Sequence, residues 1–159
     1  MILDLYVVRL IKMQSQKNMF RFLEDVAIAD IAFEAYGKNY NELFENAANA
    51  IFELTVDLKT LKPKIKKGVK LENGKIDLLL YDFLSEILYI KDADGLIFCR
   101  CKIDIKEKNG KYILDAAFEG DKINQKTQTL ENDIKAITMH MFKVEKAKNG
   151  VKAVVVVDI

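Results

Sequence analysis

Residues 96–120 read LIFCRCKIDIKEKNGKYILDAAFEG. Two runs rich in β-branched and aromatic residues, LIFCRCKIDIK and KYILDAAFEG, flank Asn109-Gly110. An Asn-Gly pair between such runs is a strong short-range signal for a two-residue hairpin turn. Strands joined by so tight a turn must be antiparallel. The signal recurs at Asn149-Gly150, between DIKAITMHMFKVE (133–145) and VKAVVVVDI (151–159). The C-terminal half therefore reads as antiparallel hairpins. Upstream, FRFLE (20–24) and DIAFEAYG (30–37) alternate apolar and other residues with a period of two, as half-buried strands do.

Two segments change period. In NYNELFENAANAIFEL (39–54), Leu43, Phe44, Ala47, Ala48, Ile51 and Phe52 recur at helical spacing, and Asn39 with Glu42 fits a capping box. In IDLLLYDFLSEILYI (76–90), Ile76, Leu79, Leu80, Phe83, Leu84, Ile87 and Leu88 fall on one side of a second helix. LKPKIKKGVKLENG is basic and broken by Pro63 and Gly68, and it reads as an edge strand near GVKLE with its lysines in solvent. INQKTQTLEN (123–132) is polar and reads as a loop. The predicted fold is α+β: a mostly antiparallel sheet with two amphipathic helices packed on its apolar face.

Composition narrows the function classes. The 159 residues suit one domain with a sizeable core. Lys and Arg number 25 against 24 Asp and Glu, a net charge of +1, which argues against a broad electrostatic footprint for nucleic acid or anionic membrane. No apolar stretch reaches the roughly 18 residues of a membrane span. Asp4 and Arg9 interrupt the apolar start, and no secretory signal is expected. Cys99 and Cys101, two apart in a strand, read as reduced core thiols, and one histidine gives too few ligands for zinc. No phosphate-binding glycine loop and no Gly-x-Ser-x-Gly elbow is present.

Individual polar residues then carry alternatives. His140 lacks an evident nucleophile partner and reads first as a structural strand residue. Asp92 and Asp94 in KDADG are explained by turn chemistry after the second helix. Lys135 is a lysine in an apolar strand and, on periodicity alone, a solvent-facing position. Asp30 opens a strand and by itself reads as strand-start polarity. Asp158 and the end of Ile159 close a run of four valines, Val154–Val157, that reads as buried. An unpaired buried carboxylate is costly.

Four segments together resemble the archease family: ADIAFEAYGKNYNELFENAANAIFEL, LLLYDFLSEILYIKD, DIKAITMHM and the terminal VVVVDI. Their order and spacing agree over roughly Phe20 to Ile159. The resemblance implies an accessory protein of the RtcB-type RNA ligase that promotes ligase guanylylation and multiple turnover in tRNA splicing and RNA repair, with no enzymatic activity of its own. It implies a cytoplasmic protein that meets RNA through the ligase and binds neither membrane nor DNA. It implies a divalent cation, calcium by expectation, held by Asp30, Asp158 and the carbonyl of Ile159, and a role in ligase activation for Lys135. His140 falls at the family's T-x-H position. Physical chemistry agrees in part: hard cations take oxygen ligands, and two aspartates brought together by adjacent strands repel until a cation lies between them. The bland alternative is a solvated strand end without metal.

Two departures stand out. Many members carry His-Thr before the first Ala-Asp, where this chain has Ala27-Ile28. Residues 1–18 lie outside the resemblance, as an over-long start or an added edge strand, and residues 19–159 form the archease-like domain. Two further functions remain open, a direct RNA-binding module and a general scaffold or chaperone-like protein. The first draws on LKTLKPKIKKGVK, which holds Lys59, Lys62, Lys64, Lys66, Lys67 and Lys70. Aggregation protection of a sheet edge is the preferred reading of those lysines.

Overall fold

The computed structural model describes residues 19–23 and 30–159. Readings that concern residues 1–18 or Ala27-Ile28 lie outside the described residues. The hairpin signal at Asn109-Gly110 joins β4 (Leu96–Lys108) to β5 (Lys111–Lys122) in antiparallel register. Both turn residues take positive φ, 54° and 75°, as a type I′ turn demands. The second hairpin joins β6 (Ala136–Ala147) to β7 (Gly150–Asp158), with Ala147 opposite Gly150. Its turn residues are therefore Lys148 and Asn149, one place earlier than the Asn-Gly pair suggests; Asn149 supplies the positive φ and Gly150 opens the strand.

The fold is α+β; among the described residues every pairing is antiparallel and the strands divide into two sheets. One sheet runs β1 (Phe20–Leu23), β2 (Asp30–Gly37), β7, β6. The other runs β3 (Ile65–Asn73), β5, β4. The basic stretch forms β3, an edge strand with Lys66 and Lys70 exposed, as its composition predicts.

Helix α1 (Tyr40–Thr55) starts at Asn39, whose Oδ1 accepts the Glu42 amide at 2.9 Å. It packs against β2 of the first sheet and β4 of the second, and so buries residues around most of its circumference. Its side chains also close the free edge of β4. Glu45 accepts the Ile103 amide at 2.9 Å and Asn41 accepts the Ile105 amide at 2.8 Å. An open strand edge invites pairing with other chains, and a helix laid along it removes that hazard.

Helix α2 (Ile76–Asp94) ends at Gly95, which takes φ +64° and returns its amide to the Lys91 carbonyl at 2.9 Å. Asp92 and Asp94 therefore belong to the last turn of the helix rather than to a following turn. A column of rings, Phe44, Phe83, Phe118 and Phe98, runs from α1 through α2 into the second sheet with centroid spacings of 5.7, 5.8 and 4.6 Å. Such stacked contacts add about 0.5–1.5 kcal/mol each beyond burial. Cys99 and Cys101 are free thiols, and burial pushes the Cys101 thiol well above its ordinary value. A β-bulge at Cys99 separates the pair: Cys101 packs on the main core, Cys99 on a small cluster of Val56, Leu61 and Ile97.

Candidate functional site

The sheet β1–β2–β7–β6 brings distant parts of the chain to one end. Asp30 opens β2 and lies directly opposite Asp158, near the end of β7. Directly opposed residues of an antiparallel pair point to the same face, with Cβ atoms about 4.5–5.5 Å apart. On the other side of β7, Ala136 opposes the same Asp158. The next row, Ile31–Val157–Ile137, is buried and packs in the core, so the Asp30–Asp158 row lies on the opposite face. Both aspartates are half-exposed, which suits carboxylates without a buried cation partner.

Lys135 joins them through the backbone. Its amide donates to the Asp158 carbonyl at 2.8 Å, and its side chain is exposed. The strand begins one residue later, at Ala136, so the sequence expectation of Lys135 within a strand is corrected by one place. Asp30, Lys135 and Asp158 thus meet at one sheet end. Ile159 follows Asp158 directly, with its side chain packed against the core. His140 does not join them. It lies in a bulge where Met139–Phe142 have no register partners between Thr138↔Val156 and Lys143↔Val154, and its side chain is exposed.

The polar loop ahead of Lys135 is firmly anchored. The last carbonyls of a helix need partners. Here the Glu131 amide donates to the Thr55 carbonyl, and both the amide and Nδ2 of Asn132 donate to the Leu54 carbonyl, each at 2.9 Å. Lys91 of α2 adds a clamp that sequence reasoning missed. It is 8% exposed, and its Nζ donates to Asp133 at 2.8 Å and to the Ile134 carbonyl at 3.0 Å. The hydrogen bond and charge of Lys91 hold the Asp133 carboxyl below its ordinary range, with a smaller push from Lys135. The available signal was position: Lys91 follows Ile87 by four residues, on the stripe that is otherwise apolar. Removing one partner of a buried ion pair is costly chiefly through the charge it leaves buried, and a buried carbonyl left without its donor costs about 1–3 kcal/mol. Asp133 faces solvent and can hydrate, so Lys91→Met leaves only the Ile134 carbonyl without its donor and is expected to lower the melting temperature modestly while speeding hydrogen exchange of the Lys135 amide. Unchanged exchange at that amide would show that the clamp does not position Lys135.

The donor set suits a hard cation. Carboxylate and carbonyl oxygens are the ligands of calcium and magnesium. Among the described residues, no group of three or more His, Cys, Asp or Glu side chains is placed to hold a metal. A cation between Asp30 and Asp158 would therefore complete its shell from main-chain oxygen, such as that of Ile159, and from water.

The described residues form a small α+β domain with two antiparallel sheets and two helices, and the backbone brings Asp30, Lys135 and Asp158 to one sheet end. The Archease protein family model matches residues 20–159. The protein archease of Methanosarcina barkeri is 38% identical over 148 residues, which span 92% of this chain and 100% of that relative. The Pyrococcus furiosus archease is 36% identical over 122 residues, 77% of this chain and 86% of that one. The chain belongs to the archease family. A solution structure of a Methanobacterium thermoautotrophicum protein superposes with a TM-score of 0.78 at 32% identity, covering 89% of this chain and 99% of that one. The crystal structure of a Thermotoga maritima archease, described as a possible chaperone, shares the fold with a TM-score of 0.58 at 22% identity, covering 86% of this chain and 97% of that one. No described helix is long and apolar enough to cross a membrane.

Proposed function

We propose that the protein is an accessory factor of an RtcB-type RNA ligase and promotes guanylylation of that ligase, and hence its repeated turnover. The observation that carries this reading is the convergence of Asp30, Lys135 and Asp158 at one sheet end in a chain of the archease family. The family resemblance assigns a divalent cation to Asp30 and Asp158 and ligase activation to Lys135, and the three come from separate parts of the chain. Lys135 adjoins Asp158 through its backbone amide and has an exposed side chain, so its ammonium can meet a nucleotide phosphate in a partner's site and stabilise charge during nucleotidyl transfer. Asp30, Asp158 and the main-chain oxygen of Ile159 are the ligands for a divalent cation, calcium by preference, which would neutralise the aspartate pair. RNA is met through the ligase in this role. Ligation assays with the protein far below the ligase concentration are expected to show many ligation cycles per ligase, and the protein alone is expected to join no RNA ends. Equal turnover with and without the protein would refute the role.

A further inference from the structure

The sheet β3–β5–β4 turns one face to solvent, and that face holds a groove in a different sheet from the Asp30–Asp158 row. The rows across it are Lys66–Glu119–Arg100, then Gly68–Ala117–Lys102, then Lys70–Asp115–Asp104. Gly68 and Ala117 offer almost no side chain, so the long side chains of Lys66, Arg100 and Lys102 stand around a trough of about 410 Å³. Lys66, Lys67, Arg100 and Lys102 line it, and Glu119 is its single acidic residue. Glu119 is bonded to Arg100 and leaves the lysines free to meet an outside anion. Lys62 and Lys64 are also exposed, and the Lys64 amide bonds the Gly120 carbonyl at 2.8 Å, which places them at the same end of the sheet. Across these three rows Lys66, Lys70, Arg100 and Lys102 stand against Glu119, Asp115 and Asp104, and the excess of positive charge lies at the Lys66–Arg100 end, over the trough.

Packing does not demand the glycine in the floor. A Cβ at Gly68 would meet nothing closer than 4.0 Å, and its backbone is not in the left-handed region. An ordinary strand residue would cost less here than glycine does. The missing side chain keeps the trough open.

We propose that this groove binds the phosphodiester backbone of a single-stranded nucleic acid. Cations on both walls of a trough suit an extended polyanion. The walls, β3 and β4, are two strand spacings apart, about 10 Å, which admits one backbone rather than a duplex. An acidic protein surface fits less well. Stable protein interfaces centre on aromatic or bulky apolar anchors, and the apolar lining here is Gly68, Ala117, Cys101 and the buried Phe118. With no base-reading group in the floor, binding is expected to depend on salt and to tolerate changes of sequence.

The test is fluorescence anisotropy of the full chain, without ligase, against labelled oligouridylate and its DNA counterpart over a range of salt. Both are expected to bind, with affinity falling linearly on a log–log plot. Charge reversal by Lys66→Glu with Lys102→Glu is expected to lower affinity at least about tenfold and to reduce the slope by about 1.4, two single-strand phosphate contacts. Gly68→Leu, which fills the floor, is expected to lose binding in a protein of equal or higher melting temperature. Lys108→Glu with Lys111→Glu, at the far hairpin tip, is expected to bind as wild type. Absence of salt-dependent binding, wild-type affinity in the Lys66/Lys102 or Gly68 variants, or binding of polyglutamate in place of both oligonucleotides would overturn the proposal. Because no ligase is present, its failure would leave the accessory role untouched.

Discussion

Lys135→Ala is expected to cut ligase stimulation by about a hundredfold while the protein stays folded. The first half follows from what one preorganised charge is worth: removing a single group that stabilises developing charge typically costs 10²–10³ in rate. The second half follows from where the residue sits. The Lys135 side chain is exposed, and its structural bond is made by the backbone amide to the Asp158 carbonyl, which alanine retains. Surface substitutions of this kind usually change stability by no more than about 0.5 kcal/mol. Circular dichroism and ligation kinetics on the same preparation separate the two effects. Lys135→Arg is a useful companion, because guanidinium keeps the charge but not the compact shape of the ammonium. A folded Lys135→Ala protein with full stimulation would return Lys135 to the solvent-facing lysine that periodicity alone describes.

The aspartate pair is expected to fail as a unit. Asp30→Asn and Asp158→Asn each keep side-chain shape and remove one negative ligand, so each should weaken calcium binding and ligase stimulation together. The double variant should be little worse than either single one, because two changes that disable one site are not additive. Calcium that binds the folded state stabilises it by mass action, about 2.7 kcal/mol at a free concentration near 100 times its dissociation constant. For a chain of this length that corresponds to a rise in melting temperature of roughly 5–10 °C. The Asp158→Asn protein should lose most of the shift. Equal calcium binding by wild type and Asp158→Asn in calorimetry would mean that the two aspartates are a solvated strand end.

Local chemistry made much of the fold legible in advance. Asn109-Gly110 names its turn because both residues must accept positive φ, a constraint that acts over two residues. Asn39 and the apolar spacing of 43–52 name α1 for equally local reasons. The division into two sheets was less accessible. β2 pairs with β7, more than a hundred residues away, and no local pattern records which distant strand will be the neighbour. Periodicity failed in β6 for a physical reason: the bulge at Met139–Phe142 breaks alternation, so His140 reads as a regular strand residue when it is part of an excursion.

The candidate site was legible only through resemblance. Asp30, Lys135 and Asp158 each have an ordinary local explanation, and the pairing of β2, β7 and β6 is what makes them neighbours. Lys91 carried a signal of its own, a lysine on an apolar helical stripe, but its partners Asp133 and Ile134 lie in a loop whose course no periodicity describes. The groove over Gly68 was half visible. The lysines of β3 stand out in the sequence, whereas Arg100 and Lys102 reach them only through the shared neighbour β5.

Single-turnover guanylylation of the cognate ligase tests the accessory role most directly. Ligase freed of bound nucleotide is mixed with GTP and a divalent cation, and the covalent guanylylated ligase is followed with time, with and without the protein. The predicted result is a faster approach to full guanylylation with the wild-type protein, no acceleration with Lys135→Ala, and little with Asp158→Asn. Identical time courses with and without the wild-type protein would contradict the account.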